Sequence, residues 1–329
     1  MEQENRVEFE KPDFKALTKM YTVVDLHCHS RHSDGACTIK SVAAKARELG
    51  IGVAITDHNE IRGAVEIDAY KDILSIPGIE VTSKEGTHIL VYFYDIDDLK
   101  RFYKNDIKPF MGPNVMSSIG LPVEDIIKRA RQFKAIIIFP HPYSPAYTGV
   151  CNFYFPKQKL KRLFSMVDGI EVINSENLNR WNMKSTVLGF NLSKAITGGS
   201  DGHKTEHVGQ AVTCAPSANT RTAFLDALKG SNVKVVGKES HILKKVTSNS
   251  YKLKTNLNNC PDLVEKNLRY GYTVIQSKSK TVKDNVKHRM GKQGVGKKLY
   301  NSFVVGSLAR FNHNFIIFFI MLHQTGIGS

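Results

Sequence analysis

The chain has 329 residues, of which 41% are hydrophobic and 23% charged, which suits one large globular domain or a domain with an appendage and excludes collagen-like, mucin-like and wholly disordered chains. The net charge of +15 is uneven: residues 241–329 hold 15 Lys/Arg against 3 Asp/Glu, while the first 240 residues carry a net charge of only +3. Five cysteines (Cys28, Cys37, Cys151, Cys214 and Cys260) form no C-x-x-C pair, which argues against a disulfide framework or a cysteine-rich zinc module and for a reducing compartment.

The N-terminus MEQENRVEFEKPDFK has no apolar core of a secretory signal, so a cytoplasmic location is expected. Thr22–Leu26 is a short β-rich run. Thr38 can cap a helix carrying Ile39, Val42, Ala43, Ala46 and Leu49 at helical spacing, with Gly50 as its stop. Ile51–Thr56 is a second buried-strand pattern, and Ile76–Glu80, His88–Tyr94, Ala135–Phe139, Gly169–Ile173, Ala195–Thr197, Ala211–Cys214 and Val233–Val236 continue the series. Helical stretches are expected at Val123–Phe133, Leu178–Phe190 and Thr220–Lys229, and the irregular stretch from Asp95 to Gly120 reads as a lid or a surface loop. Alternating strands and helices predict an α/β protein with parallel strands.

The chemistry sits at the strand ends. His27 and His29 flank Cys28 on the first strand, and alternate strand residues share a face, so the two imidazoles point one way and Cys28 the other. Asp34 follows in a Ser33-Asp34-Gly35 turn. His58 comes directly after the second strand, Glu80 closes the run Ile76–Glu80, and His88 opens the next strand. His141 follows Ala135–Phe139 in Pro140-His141-Pro142, and Asp201 and His203 follow Thr197-Gly198-Gly199-Ser200. Six of the twelve histidines thus fall at strand ends, accompanied by carboxylates. Scattered surface histidines would not collect there, whereas a metal site needs this convergence.

In this order, HxH, SDG, TDHN, GIE, H, HP and SDGH, the residues resemble the polymerase-and-histidinol-phosphatase (PHP) superfamily of metal-dependent phosphoesterases, over about Val23 to Val236. The resemblance implies a distorted (β/α)7 TIM-like barrel with a trinuclear metal centre at the carboxyl ends of its strands. It implies that His27, His29, Glu80 and Asp201 hold one ion, that Glu80 bridges to a second ion that also takes His88 and His141, and that Asp34, His58 and His203 hold a third. Glu80, Asp201 and His203 are then the catalytic candidates. Asp34 in its SDG turn is closer to the nucleotide-phosphatase and RNase-like branch than to members with His in that role. Imidazole and carboxylate donors without thiolates suit Zn, Mn or Fe, up to three ions. A water on such an ion loses its proton near neutral pH and attacks the phosphate, while the other ions offset charge on the phosphoryl oxygens.

Around this set, Arg31, His32, Asn174, Lys84 and His207 are candidates for substrate phosphate, and Asp25 and Asp57 for orienting ligand imidazoles. The expected substrate is a phosphate ester, of a nucleotide or oligonucleotide. A small-metabolite phosphatase of the histidinol-phosphate kind and a phosphotyrosine phosphatase are the enzymatic alternatives, and a non-catalytic metal-stabilised binding module is the alternative of another class.

Residues 1–240 are expected to form the phosphoesterase domain and 241–329 a basic C-terminal extension that contacts nucleic acid or an anionic membrane surface. Gly291–Lys298 (GKQGVGKK) approaches a P-loop, but Lys298 stands where Ser or Thr should reach Mg, and TVKDNVKHRM before it is no buried strand. Phe315–Leu322 (FIIFFIML) is apolar but shorter than the roughly 20 residues a spanning helix needs.

Overall fold

Strands read as continuous apolar runs become strands buried on both faces. In the computed structural model, which describes residues 6–144, 148–151, 155–216, 218–240 and Tyr272, the run AIIIF is strand β6 (Ala135–Phe139), with every residue buried. The other strands are β1 (Val7–Glu8), β2 (Tyr21–Cys28), β3 (Gly52–Ile55), β4 (Gly78–Thr82), β5 (His88–Phe93), β7 (Gly169–Asn174), β8 (Ala195–Gly199), β9 (Ala211–Pro216) and β10 (Lys234–Gly237). They pair as two five-stranded sheets, ordered β1-β10-β9-β2-β3 and β4-β5-β6-β7-β8.

The expectation of parallel strands holds for β2 with β3, for β6-β7-β8 and for β1 with β10; β9 runs antiparallel to both β2 and β10, and β5 antiparallel to both β4 and β6. The β4–β5 link is too short for a crossover: Ser83 N donates to Thr87 O, and Gly86 takes φ +90°. The ladders of the described residues do not close into the single barrel that the family resemblance implies. The sheets meet instead through isolated bridges, Val53↔Ser75, His58↔Glu80 and Cys28↔Gly202.

Helix α1 (Phe14–Met20) precedes β2, and α2 (Ile39–Leu49) has the expected ends: Thr38 accepts from Ser41 N, and Gly50 takes φ +68°. Helices α3 (Arg62–Asp68), α4 (Ile96–Phe102), α5 (Val123–Ala130), α6 (Lys157–Met166), α7 (Asn179–Asn191) and α8 (Arg221–Lys229) complete the described set. The stretch from Asp95 to Gly120 is not simply a loop: Asp95 caps α4, a π-helical turn follows at Tyr103–Ile107 and a 3-10 turn at Lys108–Phe110. Its later part is tied down by Asn59, whose Nδ2 donates to Val115 O and Ser117 O.

One apolar core runs from the second sheet and its helices to Val24 and Leu26 of β2, Ala54 of β3 and Val235 of β10, with Tyr92, Phe93, Phe102 and Phe139 fully buried. A second core packs Val42, Ala43 and Ala46 of α2 on Val23, Val53, Ile55 and Val212. No helix among the described residues is long and apolar enough to cross a membrane. The chain divides into two compact units, Met1–Tyr270 and Gly271–Ser329. The expected boundary at 240/241 lies at the edge of the described residues, and the P-loop-like run and Phe315–Leu322 lie outside them.

Candidate metal centre

Parallel strands deliver their last residues to one end of a sheet, and an antiparallel strand delivers its first residue there. His27 and His29 leave the end of β2, His58 follows β3, His141 follows β6, and Asp201 and His203 follow β8. Because β5 runs antiparallel, its opening residue His88 arrives at the same place, paired across from Thr82. Three turns at this end take positive φ: Asn59, His141 and Asp201 have φ of 47°, 30° and 51°, a sparsely populated region in which Asn, Asp and His are the most frequent non-glycine residues.

Glu80, 1% exposed, is the hub. Its Oε1 lies 3.0 Å from His88 Nδ1 and 3.2 Å from His141 Nε2; its Oε2 lies 3.1 Å from His58 Nδ1, 3.4 Å from His29 Nε2 and 3.5 Å from His27 Nε2. His29 Nε2 is 3.2 Å from Asp201 Oδ1, and His203 Nε2 is 3.1 Å from Asp34 Oδ2. All nine side chains expected as ligands therefore converge. Four groups have donor atoms close enough to share an ion: His29, Asp34, His58 and His203; His27, His29 and Asp201; His27, Glu80 and His141; and His58, Glu80 and His88.

The grouping differs from the expected one in three respects. His29 faces both ways, its Nδ1 3.7 Å from Asp34 Oδ1, and His58 stands nearer Glu80 than Asp34, at 3.1 Å against 3.8 Å. His88 and His141 share an oxygen of Glu80 but fall in different groups. These assignments depend on ring orientation, which strand parity does not fix.

The electrostatics suit cations. Burial pushes the carboxyls of Glu80 and Asp34 up, but the facing imidazoles (His88, His58 and His27 for Glu80; His203, His58 and His29 for Asp34) bring both well below the usual carboxylate range. Burial lowers His29 to about 3, helped by His203, and lowers His88 to about 4 against the pull of Glu80. His27 is the opposite case: burial lowers it, but Asp201, Glu171 and Glu80 together raise it well above its ordinary value. His29 Nδ1, His58 Nδ1, His141 Nδ1 and His203 Nε2 are buried with no hydrogen-bond partner among the described residues. Orphaned imidazole nitrogens beside carboxylates, with no thiolate in the set, fit borderline transition-metal ions.

The surrounding candidates separate. Arg31 is exposed, and His32 Nε2 pairs with Glu66 Oε1 at 2.8 Å on the rim. Lys84 is exposed, and its backbone N donates to Leu121 O. His207 is fully buried, 3.5 Å from Glu176. Asn174 is buried too, and its Nδ2 donates to Glu171 Oε2 and Asp201 Oδ2, so it serves carboxylates of the site. Asp25 braces backbone, and Asp57 the Ser30–Ser33 turn, instead of imidazoles. Asp25 accepts from the N–H groups of His27, Ser200 and Gly209; Asp57 accepts from Ser30 N, Ser30 Oγ and Ser33 Oγ. Cys28 Sγ faces Ser200 Oγ at 3.5 Å, away from the cluster.

Sequence reasoning missed Glu171, 1% exposed, whose Oε1 accepts from His27 Nδ1 at 2.9 Å. Its signal was present: Gly169-Ile170-Glu171-Val172 repeats the word Gly78-Ile79-Glu80-Val81 that carries the hub.

Gly199 marks how tightly β8 meets β2, since a Cβ there would run into His27 Cβ and stand 2.8 Å from His27 N. Gly199→Ala should therefore destabilise the protein by about 1–3 kcal/mol through overpacking and lower its metal content together with its melting temperature. Calorimetry and elemental analysis check both.

Residues 25–159 match the model of the PHP domain family, and residues 179–233 that of a PHP-associated family. An uncharacterized protein of Methanocaldococcus jannaschii is 32% identical over 164 residues, which are 46% of this chain and 81% of that protein. Among solved structures, a two-domain protein of Bacteroides vulgatus containing a predicted PHP-like metal-dependent phosphoesterase aligns with a TM-score of 0.50 and 17% identity, over 72% of this chain and 70% of that one. The lesion-specific endonuclease Q of Pyrococcus furiosus aligns with a TM-score of 0.54 and 19% identity, over 66% of this chain and 58% of the endonuclease. At these identities the structural likeness concerns the fold.

Proposed function

The chain belongs to the PHP domain family, and from that premise we propose that it is a metal-dependent phosphoesterase that hydrolyses phosphate esters of nucleotides or oligonucleotides. The observation that carries the reading is Glu80, a buried carboxylate with five imidazole nitrogens within 3.5 Å of its oxygens. Such a hub is costly to bury without cations to share. Zn, Mn or Fe ions held by His27, His29, Asp34, His58, Glu80, His88, His141, Asp201 and His203 would supply an activated water and polarise the phosphoryl oxygens.

The chain's own residues set up that chemistry. The proton of His27 Nδ1 stays on the Glu171 side, which leaves Nε2 toward the cluster. His203 Nδ1 donates to Asp201 O at 2.7 Å, which leaves its Nε2 facing Asp34. Glu80, Asp201 and His203 are the groups we place nearest the reacting phosphate. The lesion-specific action named for endonuclease Q and the positive charge of residues 241–329 support a nucleic-acid substrate.

The test is a substrate panel on protein reconstituted with Mn2+, Zn2+ or Fe2+: an aryl phosphate, an aryl phosphodiester, mononucleotides, and single-stranded and duplex oligonucleotides. Nucleotide or oligonucleotide turnover above the aryl esters is expected. Equal turnover of every simple monoester would select a small-metabolite or phosphotyrosine phosphatase, and no turnover with ions bound would select a non-catalytic module.

We also propose 1–240 as the catalytic domain and 241–329 as a basic extension that binds the phosphate backbone. Oligonucleotide affinity should then fall steeply with salt, and truncation after Ser240 should flatten that dependence while aryl phosphate hydrolysis persists. Flotation of the full chain with anionic vesicles, without salt-sensitive oligonucleotide binding, would assign the extension to membranes.

A further inference from the structure

Strand β7 supplies none of the nine ligands, yet it carries the carboxylate that touches most of their supports. Glu171 is 1% exposed. Its Oε1 accepts from His27 Nδ1 at 2.9 Å, and its Oε2 accepts from His141 N at 2.8 Å and from Asn174 Nδ2 at 2.9 Å. Asn174 spends its second amide hydrogen on Asp201 Oδ2 at 3.1 Å, and Asn182 clasps its backbone at both N and O. The two ligand residues at the ends of this network, His141 and Asp201, are two of those with positive φ. One carboxylate thus reaches the end of β2, the turn after β6 and, through one amide, the turn after β8.

We infer that Glu171 is a positioning residue of the metal centre: it keeps the His27 proton on Nδ1 with Nε2 toward the ions, holds the His141 turn, and fixes Asp201 through Asn174. The inference rests on the ligand reading above. A carboxylate behind a ligand imidazole sets both ring orientation and tautomer, and removing one characteristically costs 10–100-fold in metal affinity. The chemistry also predicts what an isosteric amide does. In Glu171→Gln, one side-chain position becomes an N–H donor that faces either His27 Nδ1–H or the donors His141 N–H and Asn174 Nδ2–H. Facing His141 N–H and Asn174 Nδ2–H, it leaves donors unsatisfied; facing His27, it drives the imidazole proton from Nδ1 to Nε2, the nitrogen turned toward the ions, so shape alone cannot rescue the contact.

The experiment uses the full chain with Zn2+ as the probe, in wild type, Glu171→Gln and Asn174→Ala, each checked for folding by circular dichroism and melting. Binding constants and stoichiometry come from competition with a chromophoric chelator and elemental analysis, and imidazole 15N shifts report the His27 tautomer. A folded Glu171→Gln protein should bind Zn2+ about 10–100-fold more weakly and lose the Nδ1–H signature of His27. Wild-type affinity with unchanged His27 shifts overturns the inference. If Glu171→Gln does not fold, Asn174→Ala carries the test through the Asp201 arm: weakened Zn2+ binding supports the network, and unchanged affinity overturns it. Wild-type protein that takes up no Zn2+, Mn2+ or Fe2+ would be a different failure, of the ligand reading itself, and the inference would fall with it.

Discussion

Glu80→Gln should be the most damaging single substitution at the site. The amide has nearly the volume of the carboxylate, so the pocket keeps its shape while losing its central charge. Five imidazole nitrogens lie within 3.5 Å of the Glu80 oxygens, and His27 and His141 owe their raised affinity for protons partly to Glu80. Removing one partner of a buried ionic cluster costs about 3–5 kcal/mol, because the remaining groups stay buried without compensation. Metal binding should weaken separately, by at least the roughly 10–100-fold that losing a mere outer-shell partner of a ligand costs. Turnover should fall by at least the same factor at limiting metal, and excess Mn2+ should restore it only in part. Elemental analysis beside steady-state kinetics decides: near-normal metal content and turnover in Glu80→Gln would remove Glu80 from the centre. The backbone gives a control, because Asn59 N donates to Glu80 O at 2.9 Å and His58 bridges Glu80 through main chain. The substitution leaves both unchanged, so a loss of metal reads the side chain.

How much of this site was legible in the chain depends on what kind of fact each residue represents. His27 and His29 could be placed on one face because strand parity is a property of the backbone alone. The ends of α2 could be placed because Thr38 and Gly50 act through bonds to residues within a turn. His58, His141, Asp201 and His203 could be placed because they follow apolar runs whose ends the sequence marks. His88 could be located but not explained: it opens its strand, and only the antiparallel run of β5 between β4 and β6 puts that opening at the ligand end. Pairing direction is set by tertiary packing, which local periodicity does not encode, and for the same reason the strand alternation did not foretell two sheets. The partition of nine groups among ions was illegible because it turns on imidazole rotation. Glu171 and Asn174 were illegible in role because their partners lie 144 and 27 residues away. Asp25 was misassigned for a related reason: its neighbour in sequence is a ligand, but its oxygens go to main-chain N–H groups that hold the ligand-bearing strand and loops in place.

Acid should destabilise the metal-free protein well above the range in which carboxylates titrate. Burial, helped by neighbouring imidazoles, lowers His29 from 6.5 to about 3 and His88 from 6.5 to about 4. Above the ordinary histidine value both residues are neutral in the folded and unfolded chains, so they add no pH dependence. As pH falls below that value, the unfolded chain binds protons that the folded chain refuses, and folding loses about 1.4 kcal/mol per pH unit for each group. The loss continues until the folded imidazoles themselves protonate, near 4 for His88 and near 3 for His29. His27 and His141 do not offset it. Their folded values are raised, so what they contribute is complete below the ordinary histidine value and is lost only as pH rises through the raised ones. Glu80 and Asp34 are held well below their ordinary values of 4.5 and 3.8, so their contribution is intact above that range and erodes only at lower pH. Between pH 6.5 and 5 the two lowered histidines together remove at most about 4 kcal/mol; the buried carboxyls of Asp25 and Asp57, raised by burial, oppose that loss as they take up protons in the folded chain. For a folded body of this size the loss from the histidines alone is at most roughly a 10 °C fall in melting temperature. Melting in the presence of a chelator, at pH 7 and at pH 5, measures it. His88→Gln should lessen the slope, because one of the two refusing groups is gone, and a slope unchanged by that substitution would mean that His88 is not buried in the neutral form. Bound ions compete with protons for the same lone pairs. The metal-loaded protein should hence hold its melting temperature to lower pH and then lose it over a narrow interval, in step with release of the ions.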